Sequence, residues 1–386
     1  MRFFPGGRWV AVPVAALVLA SACSGGGGDG SVAPSTSAGS NVTSTTSNSG
    51  ATTTTTTTID AYTGPIGPLT GGPISEERVD SPALVLKIGN NDALSRPQTG
   101  LFEADLVYEE LVEGLKTRFF TVFNSQVPAT VGPIRSGRSS DVELMAGLSK
   151  PMFGYSGANA TVLRELRGAR DAGVMVDVGA LRLESAYFRS TDRDAPNNLY
   201  VAPAKIPETS AGVPDSLFTY GNLPASMGTD SGGVDVSYPT SFGRESTHLW
   251  DPESDGWVRL QDGTLQTSVV DGSEIEVAPA NVVVAEINYG TSAADSESPQ
   301  AKTFGTGPVK VFTRGKLVTG TWSRSADSPR WTLADDNGVE IPLAPGATWV
   351  LLAAGPHSQF ATAKVTVFDS QQALKLLTEA RKTTTP

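Results

Sequence analysis

The alternation of apolar and polar positions between residues 83 and 123 is typical of β-strands. The apolar run ALVLKIGNN (83–91) predicts a buried strand that ends at a turn signal. Apolar and polar residues alternate along 106–113 and again along 117–123. Gly114 and Leu115 between these segments fit a two-residue turn, so the pattern predicts a β-hairpin.

The register of this predicted hairpin places charged residues together. With a two-residue turn, Glu113 faces Lys116 and Leu111 faces Arg118, and Glu109 lies diagonal to Arg118 on the same face. Glu109, Glu113 and Arg118 then share one surface. That surface is either a solvated face with cross-strand charge pairs or the floor of a site, and the pattern leaves both interpretations open.

Two helices follow in the pattern, separated by short strands. Ser140 and Glu143 have capping-box spacing, which predicts a helix starting near Asp141. Asn159 precedes a second helical stripe and fits its N-cap. Together with the strands, these helices predict a mixed α/β N-terminal domain over residues 60–205.

The second half of the chain has a different pattern. Residues 206–235 are rich in Pro, Gly and Ser and are typical of a linker. Beyond them, short alternating strands separated by turn signals predict a mainly antiparallel β domain over 236–369. The amphipathic segment after it predicts a C-terminal helix and tail over 370–386. The fold class expected from the whole chain is therefore α+β.

The N-terminus has the pattern of an export signal rather than of a folded segment. A basic start and an uncharged apolar run predict a lipoprotein signal peptide over residues 1–22. Small residues then precede Cys23, which is the expected lipidation site and membrane anchor. The alternative is a secreted protein cleaved after Ala22. Residues 23–59 are almost entirely Gly, Ser, Thr and Ala and predict a disordered tether.

Composition narrows the chemistry. Cys23 is the only cysteine among 386 residues, so disulfides and a thiol nucleophile in the body are excluded. The formal net charge of -11 argues against nucleic-acid binding. The two histidines, His248 and His357, do not form a metal motif, and we expect neither a metal nor a cofactor.

The strongest candidate ligand site is the stretch before the helix predicted near Asp141. It contains Arg135, Ser136, Arg138 and Ser139. Arginine binds carboxylates and phosphates in a bidentate manner, and a helix N-terminus attracts anions. Arg118 on the hairpin is expected to add to this site. The alternative is that these arginines pair with the protein's own Glu109, Glu113 or Asp92.

Three further polar residues are candidates for ligand binding. Asn159 either caps its helix or contacts the ligand. Arg193 and Asn197 lie in a proline-broken loop, where they either hold the loop in place or form the rim of a site.

Catalysis has little support in the sequence. Neither histidine accompanies a nucleophile motif, which leaves carboxylates such as Glu109 and Glu113 as acid or base. A carbohydrate- or cell-wall-directed hydrolase using them is the alternative to a non-enzymatic binding or scaffolding protein. A carboxylate beside arginines has a lowered pKa, which suits a general acid poorly.

Three long motifs carry a family resemblance. The segments RPQTGLFEADLVYEELVEGLKTRFFTVF, VGPIRSGRSSDVELM and APNNLYV resemble the YerB-like bacterial lipoproteins, a family built on a two-part domain of unknown function. The resemblance extends from about residue 67 to about residue 352. It implies an envelope lipoprotein lipidated at Cys23, and it names no catalytic residue. The partners expected from it are the membrane and a cell-wall component or envelope protein.

Overall fold

The computed structural model describes residues 41–48, 51–58, 62–207, 209–239 and 245–384. The chain divides into two compact units, Met1–Tyr62 and Thr63–Pro386. The predicted signal peptide and the expected lipidation site at Cys23 lie outside the described residues, as does residue range 23–40 of the predicted tether.

Two strands occupy part of the predicted tether. Strands β1 (Asn41–Asn48) and β2 (Ala51–Thr58) pair antiparallel along their whole length. These sixteen residues lie within the predicted tether, whose disorder stays a prediction. Threonine is β-branched and favours extended backbone, which suits the threonine-rich strand β2.

Strands β3 to β10 and two helices lie between residues 84 and 201. The helices are α1 (Asp141–Leu144) and α2 (Ala160–Asp171). The strands are β3 (Leu84–Asn90), β4 (Gln98–Thr99), β5 (Leu106–Val112), β6 (Lys116–Phe123), β7 (Met152–Gly154), β8 (Val176–Asp177), β9 (Tyr187–Arg189) and β10 (Leu199–Val201).

The second half is almost entirely strands, followed by helix α3 (Ser370–Thr384). This confirms the predicted C-terminal helix, and residues 385–386 lie outside the described range. The strands are β11 (Thr229–Asp230), β12 (Gly233–Ser237), β13 (Glu245–Asp251), β14 (Gly256–Gln261), β15 (Thr264–Leu265), β16 (Thr267–Val270), β17 (Ser273–Glu276), β18 (Asn281–Ser292), β19 (Asp295–Lys302), β20 (Gly305–Thr313), β21 (Lys316–Arg324), β22 (Thr332–Asp335), β23 (Thr348–Ala354) and β24 (Lys364–Phe368).

One large sheet takes strands from both halves of the chain. Its order is β11-β21-β20-β18-β23-β5-β6-β3-β7-β8, with β19 on β18 and β22 on β21. Strand β23 pairs parallel with β5 on one side and with β18 on the other. The second half is thus less uniformly antiparallel than predicted. Strands that precede and strands that follow residues 206–235 belong to the same sheet. The predicted boundary between two domains at these residues therefore stays a prediction.

A second layer covers one face of this sheet. The five-stranded sheet β15-β14-β13-β12-β24 contributes Val234 and Trp257 to a core that also contains Phe119 and Trp349 of the large sheet. The opposite face of the large sheet carries a separate core. Side chains of β5 and β6 alternate between these two faces, so the hairpin contributes to both cores.

The described residues are mostly β, with three α-helices. This is less helix than the expected α+β mixture, since α1 is a single turn. Helix α2 is confirmed, and Asn159 caps it by accepting a hydrogen bond from the Val162 backbone N–H at 2.9 Å.

Candidate functional site

The register of the β5–β6 hairpin differs from the prediction by one residue. The turn contains Glu113, Gly114 and Leu115, so Glu110 pairs with Arg118 and Leu111 does not. Gly114 and Leu115 both have left-handed backbone, with φ of 70° and 54°. A one-residue shift moves every side chain to the other face. The prediction that Glu109 shares a face with Arg118 is therefore wrong.

Arg118 lies beside Arg135 because β3 has a glycine between them. Gly89 of β3 pairs with Arg118 of β6. A Cβ atom at Gly89 would lie only 2.8 Å from the Cγ of Arg135, so a side chain there would displace that arginine. The backbone N–H of Arg135 donates to the Lys87 carbonyl at 2.8 Å. The loop is thereby held along β3, with Arg135 over the sheet.

Arg118 is a buried cation with no carboxylate of the described residues within 4.0 Å, and Glu110 and Glu113 attract its charge only from farther away. It is 3% exposed, and its guanidinium donates to the Ser136 carbonyl at 3.1 Å and to the Asn91 side-chain oxygen at 3.3 Å. Among the described residues, its Nε has no acceptor. Burial, followed by the nearby charges of Arg138 and Arg135, lowers the pKa of Arg118 to about 9, although the charges of Glu113 and Glu110 oppose this shift. The positive charge is thus held at an energetic cost.

Arg138 forms an ion pair with Glu113 of its own chain, as the alternative interpretation of these arginines predicts. Its Nε and Nη2 donate to Glu113 at 3.2 and 2.6 Å. Glu113 also accepts from the Ser298 hydroxyl at 2.8 Å. Burial tends to raise the pKa of Glu113, but the Arg138 hydrogen bonds and charge outweigh it, and the pKa lies below its usual value. Glu113 is therefore ionised at neutral pH. We call Arg118, Arg135 and Arg138 the arginine cluster.

The predicted capping box before α1 is absent from the structure. The helix begins at Asp141 as predicted, but Ser140 makes no cap hydrogen bond and instead accepts from the Ala301 backbone N–H at 3.0 Å. Glu143 accepts from the Thr303 backbone N–H at 2.8 Å. With one helical turn and its end occupied by internal contacts, α1 offers no anion site of its own. Strands of the second half hold this segment in place.

Ser139 is likewise engaged inside the protein. It is 3% exposed, and its hydroxyl lies 2.6 Å from Glu165 and 2.7 Å from the Ser292 hydroxyl. Ser136 is half-buried, and its carbonyl orients Arg118. Both serines were predicted to contact the ligand, and the structure places them around the arginine cluster in positioning contacts.

A fully buried ion triad lies under the arginine cluster. Lys87 binds the carboxylates of Glu110 and Asp141, the latter at 2.7 Å, and all three side chains are fully buried. Asp141 also accepts from the Arg138 backbone N–H at 2.7 Å, which fixes the loop. Burial and the Glu110 charge raise the pKa of Asp141 to about 6, although Lys87 opposes this shift. Sequence patterns missed Lys87 because a lysine inside an apolar run carries no signal of its partners.

The loop residues predicted as candidates have separate roles. Arg193 donates to the carbonyl of Pro97 at 2.6 Å and thereby holds two loops together. Asn197 is 4% exposed, and its side-chain oxygen has no donor among the residues that the structure describes. It follows Pro196, whose carbonyl accepts from Arg135 at 3.0 Å. Asn197 therefore borders the arginine cluster, whereas Asn159 serves as a helix cap.

Glu109 lies on the opposite face of the hairpin, in a buried network between the two layers. It accepts from Arg259 at 3.0 Å, Trp349 at 2.9 Å, Ser246 at 3.0 Å and Thr117 at 2.8 Å. We call these five residues the Glu109 network. Four donors leave this carboxylate no free role as acid or base. Glu109 and Glu113 have separate partners, Glu109 between the two layers and Glu113 beside Arg138 and Ser298.

The described residues also bear on two further possibilities, a metal site and a membrane-spanning helix. They contain no cluster of three or more His, Cys, Asp or Glu side chains placed to hold a metal ion. They also contain no helix with both the length and the apolar character needed to cross a membrane.

Comparison with known proteins identifies the family. Residues 69–213 match the "Protein of unknown function (DUF3048) N-terminal domain", and residues 234–350 match the corresponding C-terminal domain. Together the two matches cover more than half of the chain. The chain belongs to the DUF3048 family. The resemblance expected from the three sequence motifs is thereby confirmed.

A relative and a solved structure extend the match. "Putative lipoprotein YerB" from Bacillus subtilis (strain 168) is 29% identical over 294 residues, covering 73% of this chain and 84% of the relative. A crystal structure of the YerB protein from Bacillus subtilis superposes with a TM-score of 0.67 at 24% identity, covering 78% of this chain and 99% of that chain. The two proteins share the fold.

Proposed function

We propose that this protein is a lipid-anchored, extracytoplasmic lipoprotein that binds an anionic component of the cell envelope at the arginine cluster, without catalysing a reaction. The anchor is supported by the apolar segment and small residues before Cys23, and by the name of the Bacillus subtilis relative. Lipoprotein anchoring with more than one acyl chain holds a protein firmly on a membrane.

The observation that carries the binding proposal is the unpaired charge of Arg118. Burying a cation without an acidic partner is costly, and such costs concentrate at functional sites. Only Arg138 of the cluster has an acidic partner at hydrogen-bond distance, while Arg135 is half-buried and donates to a carbonyl. The ligand's carboxylate or phosphate is the partner that this arrangement lacks.

The geometry argues against the hydrolase alternative. Glycosidases use two carboxyl groups that face the same bond. Here Glu109 is enclosed in the Glu109 network, and Glu113 on the other side is paired with Arg138 and has a lowered pKa. A general acid needs a raised pKa, so neither residue suits that role.

Binding is tested by thermal shift on the full-length protein in detergent, with acetate, inorganic phosphate and cell-wall fragments as probes. We expect at least one anion to raise the melting temperature, and Arg135→Gln to abolish that shift. The control is Arg330→Gln, which changes a surface arginine paired with Glu340. If no anion stabilises the protein, or if both variants behave alike, the binding proposal is wrong.

The anchor is tested separately by cell fractionation. We expect the wild-type protein in the membrane fraction and the Cys23→Ala variant outside it. Mass spectrometry of the mature N-terminus then identifies the lipid. A Cys23→Ala variant that stays membrane-bound contradicts lipid anchoring.

A further inference from the structure

Two side-chain oxygens near the arginine cluster, one on Asp92 and one on Asn197, receive no hydrogen bond from the residues that the structure describes. One side-chain oxygen of Asp92 is buried and receives no hydrogen bond within the described chain. The side-chain oxygen of Asn197 is in the same state, in a residue that is 4% exposed. Buried polar atoms are almost always hydrogen-bonded, so two orphaned acceptors beside one cluster indicate a missing donor.

Arg135 connects both acceptors to the cluster. Burial lowers the pKa of Arg135, and the charge of Asp92 opposes this shift, so the two side chains feel each other electrostatically. They nevertheless form no ion pair within 4.0 Å. Arg135 donates instead to the carbonyl of Pro196, directly before Asn197. On the other side, Asn91 accepts from Arg118 directly before Asp92.

The charges of this region balance. The cationic groups are Lys87, Arg118, Arg135 and Arg138, and the anionic groups are Asp92, Glu110, Glu113 and Asp141. Lys87 holds Glu110 and Asp141, and Arg138 holds Glu113. The groups left without an ionic partner are thus two arginines and one aspartate. A site with separate positive and negative poles complements a ligand that has both charges better than it complements a plain anion.

We propose that the ligand is a zwitterion, an amino acid or a peptide whose carboxylate binds Arg118 and Arg135 and whose ammonium group donates to Asp92 and Asn197. This inference rests on the proposed function, because it assigns the ligand class of the same site. An ammonium group has three donors and no acceptor, which is what two orphaned acceptor oxygens require. An anion that carries no hydrogen-bond donor leaves the side-chain oxygens of Asp92 and Asn197 unpaired, and its affinity is therefore lower.

The test is isothermal titration calorimetry of the full-length protein in detergent. The probes are L-alanine, D-alanine, di-alanine, acetate and inorganic phosphate. We expect at least one of the zwitterions to bind about tenfold or more tightly than acetate, since pairing orphaned polar groups is worth at least that factor. The alanine and di-alanine titrations separate a free amino acid from a peptide as the source.

Two matched variants give the test its specificity. Asp92→Asn keeps the shape but removes the negative pole, and we expect it to remove the zwitterion's advantage over acetate, which should bind this variant at least as tightly as it binds the wild type. Asp194→Asn is the control, because Asp194 is exposed on the same loop as Asn197. If acetate or phosphate binds as tightly as the zwitterions, the inference is wrong and the proposed anion site stands. If no probe binds, the inference is wrong, and the thermal-shift test with cell-wall fragments decides on the proposed anion site separately.

Discussion

The two faces of the β5–β6 hairpin each bury an arginine, but they treat its charge differently. In the Glu109 network, Arg259 is fully buried and bonds both oxygens of Glu109 at 3.0 Å. In the arginine cluster, Arg118 is 3% exposed and has only two neutral acceptors. Each guanidinium leaves its Nε without a partner among the described atoms, so the difference lies in the carboxylate. The Glu109–Arg259 pair joins the two layers through opposite charges, whereas Arg118 holds its charge with neutral acceptors alone.

The largest expected effect is at the paired arginine. Arg259→Met leaves the Glu109 carboxylate buried without its cation, and removing one partner of a buried pair costs about 3–5 kcal/mol. We expect urea denaturation to show a loss of that size. The double variant Glu109→Leu/Arg259→Met removes both charges and should recover much of it. A single variant as stable as the wild type contradicts a structural role for the network.

The pH dependence of stability sharpens the same contrast. His248 is fully buried, its ring lies 5.6 Å from that of Trp349, and burial together with the Arg259 charge moves its pKa well below 6.5. Below about pH 6.5 the unfolded chain binds a proton here that the folded chain does not, so stability falls as the pH falls.

The matched variants for this pH prediction are at the two histidines. His248→Leu should flatten the decline by about 1.6 kcal/mol between pH 6.5 and pH 5, measured by denaturation at each pH. His357→Leu changes an exposed histidine and is the matched control. Asp141 titrates in the opposite direction in both proteins, so its contribution cancels in the difference. If stability falls with pH equally in the wild type and in His248→Leu, the decline does not come from His248 and the prediction is wrong.

A smaller stability effect is expected at the unpaired arginine. Arg118→Met loses two neutral hydrogen bonds but relieves the burial of a cation, so we expect a change of about 1 kcal/mol or less in the free energy of unfolding. Anion-induced stabilisation should disappear in the same variant. A destabilisation as large as that of Arg259→Met would mean that Arg118 serves the fold rather than a ligand.

The smallest effect is expected at the half-exposed pair of the cluster. Glu113→Gln removes the acid that holds Arg138, and exposed or half-exposed pairs contribute about 0–1 kcal/mol to stability. The freed Arg138 should raise the affinity for acetate about threefold in calorimetric titration, roughly the 0.6 kcal/mol that such a pair is worth. Weaker acetate binding in this variant would show that Glu113 positions Arg138 rather than competes with the ligand.

The sequence predicts the hairpin but not its two faces. Alternation located β5 and β6, and Gly114 marked the turn, yet turn length decides the register and nothing local distinguishes two residues from three. The turn contains one residue more than predicted, Glu113. This extra residue places Glu109 and Arg118 on opposite faces of the hairpin.

The partners of these charges were beyond any local pattern. Arg259 lies 150 residues from Glu109, and Ser298 lies 185 residues from Glu113. The grouping of Arg118, Arg135 and Arg138 was accessible because the loop is short and adjacent to the hairpin. The contribution of a helix dipole to this cluster could not be judged from the sequence, because the pattern does not show that α1 ends after one turn. Ligand contacts by the predicted site residues stay a prediction.

The central position of β23 also sets the order in which this chain can fold. The Trp349 side chain reaches Glu109 across 240 residues of sequence, and β5 pairs with β23 along its edge. Any chain that emerges N-terminus first must therefore keep β5 unpaired on that side until residue 354 has followed. Contacts at such separation form slowly, and an open strand edge is a template for aggregation. A chaperone that shields this edge during synthesis or export would bind the first half of the chain until the last tenth, which begins with β23, has emerged.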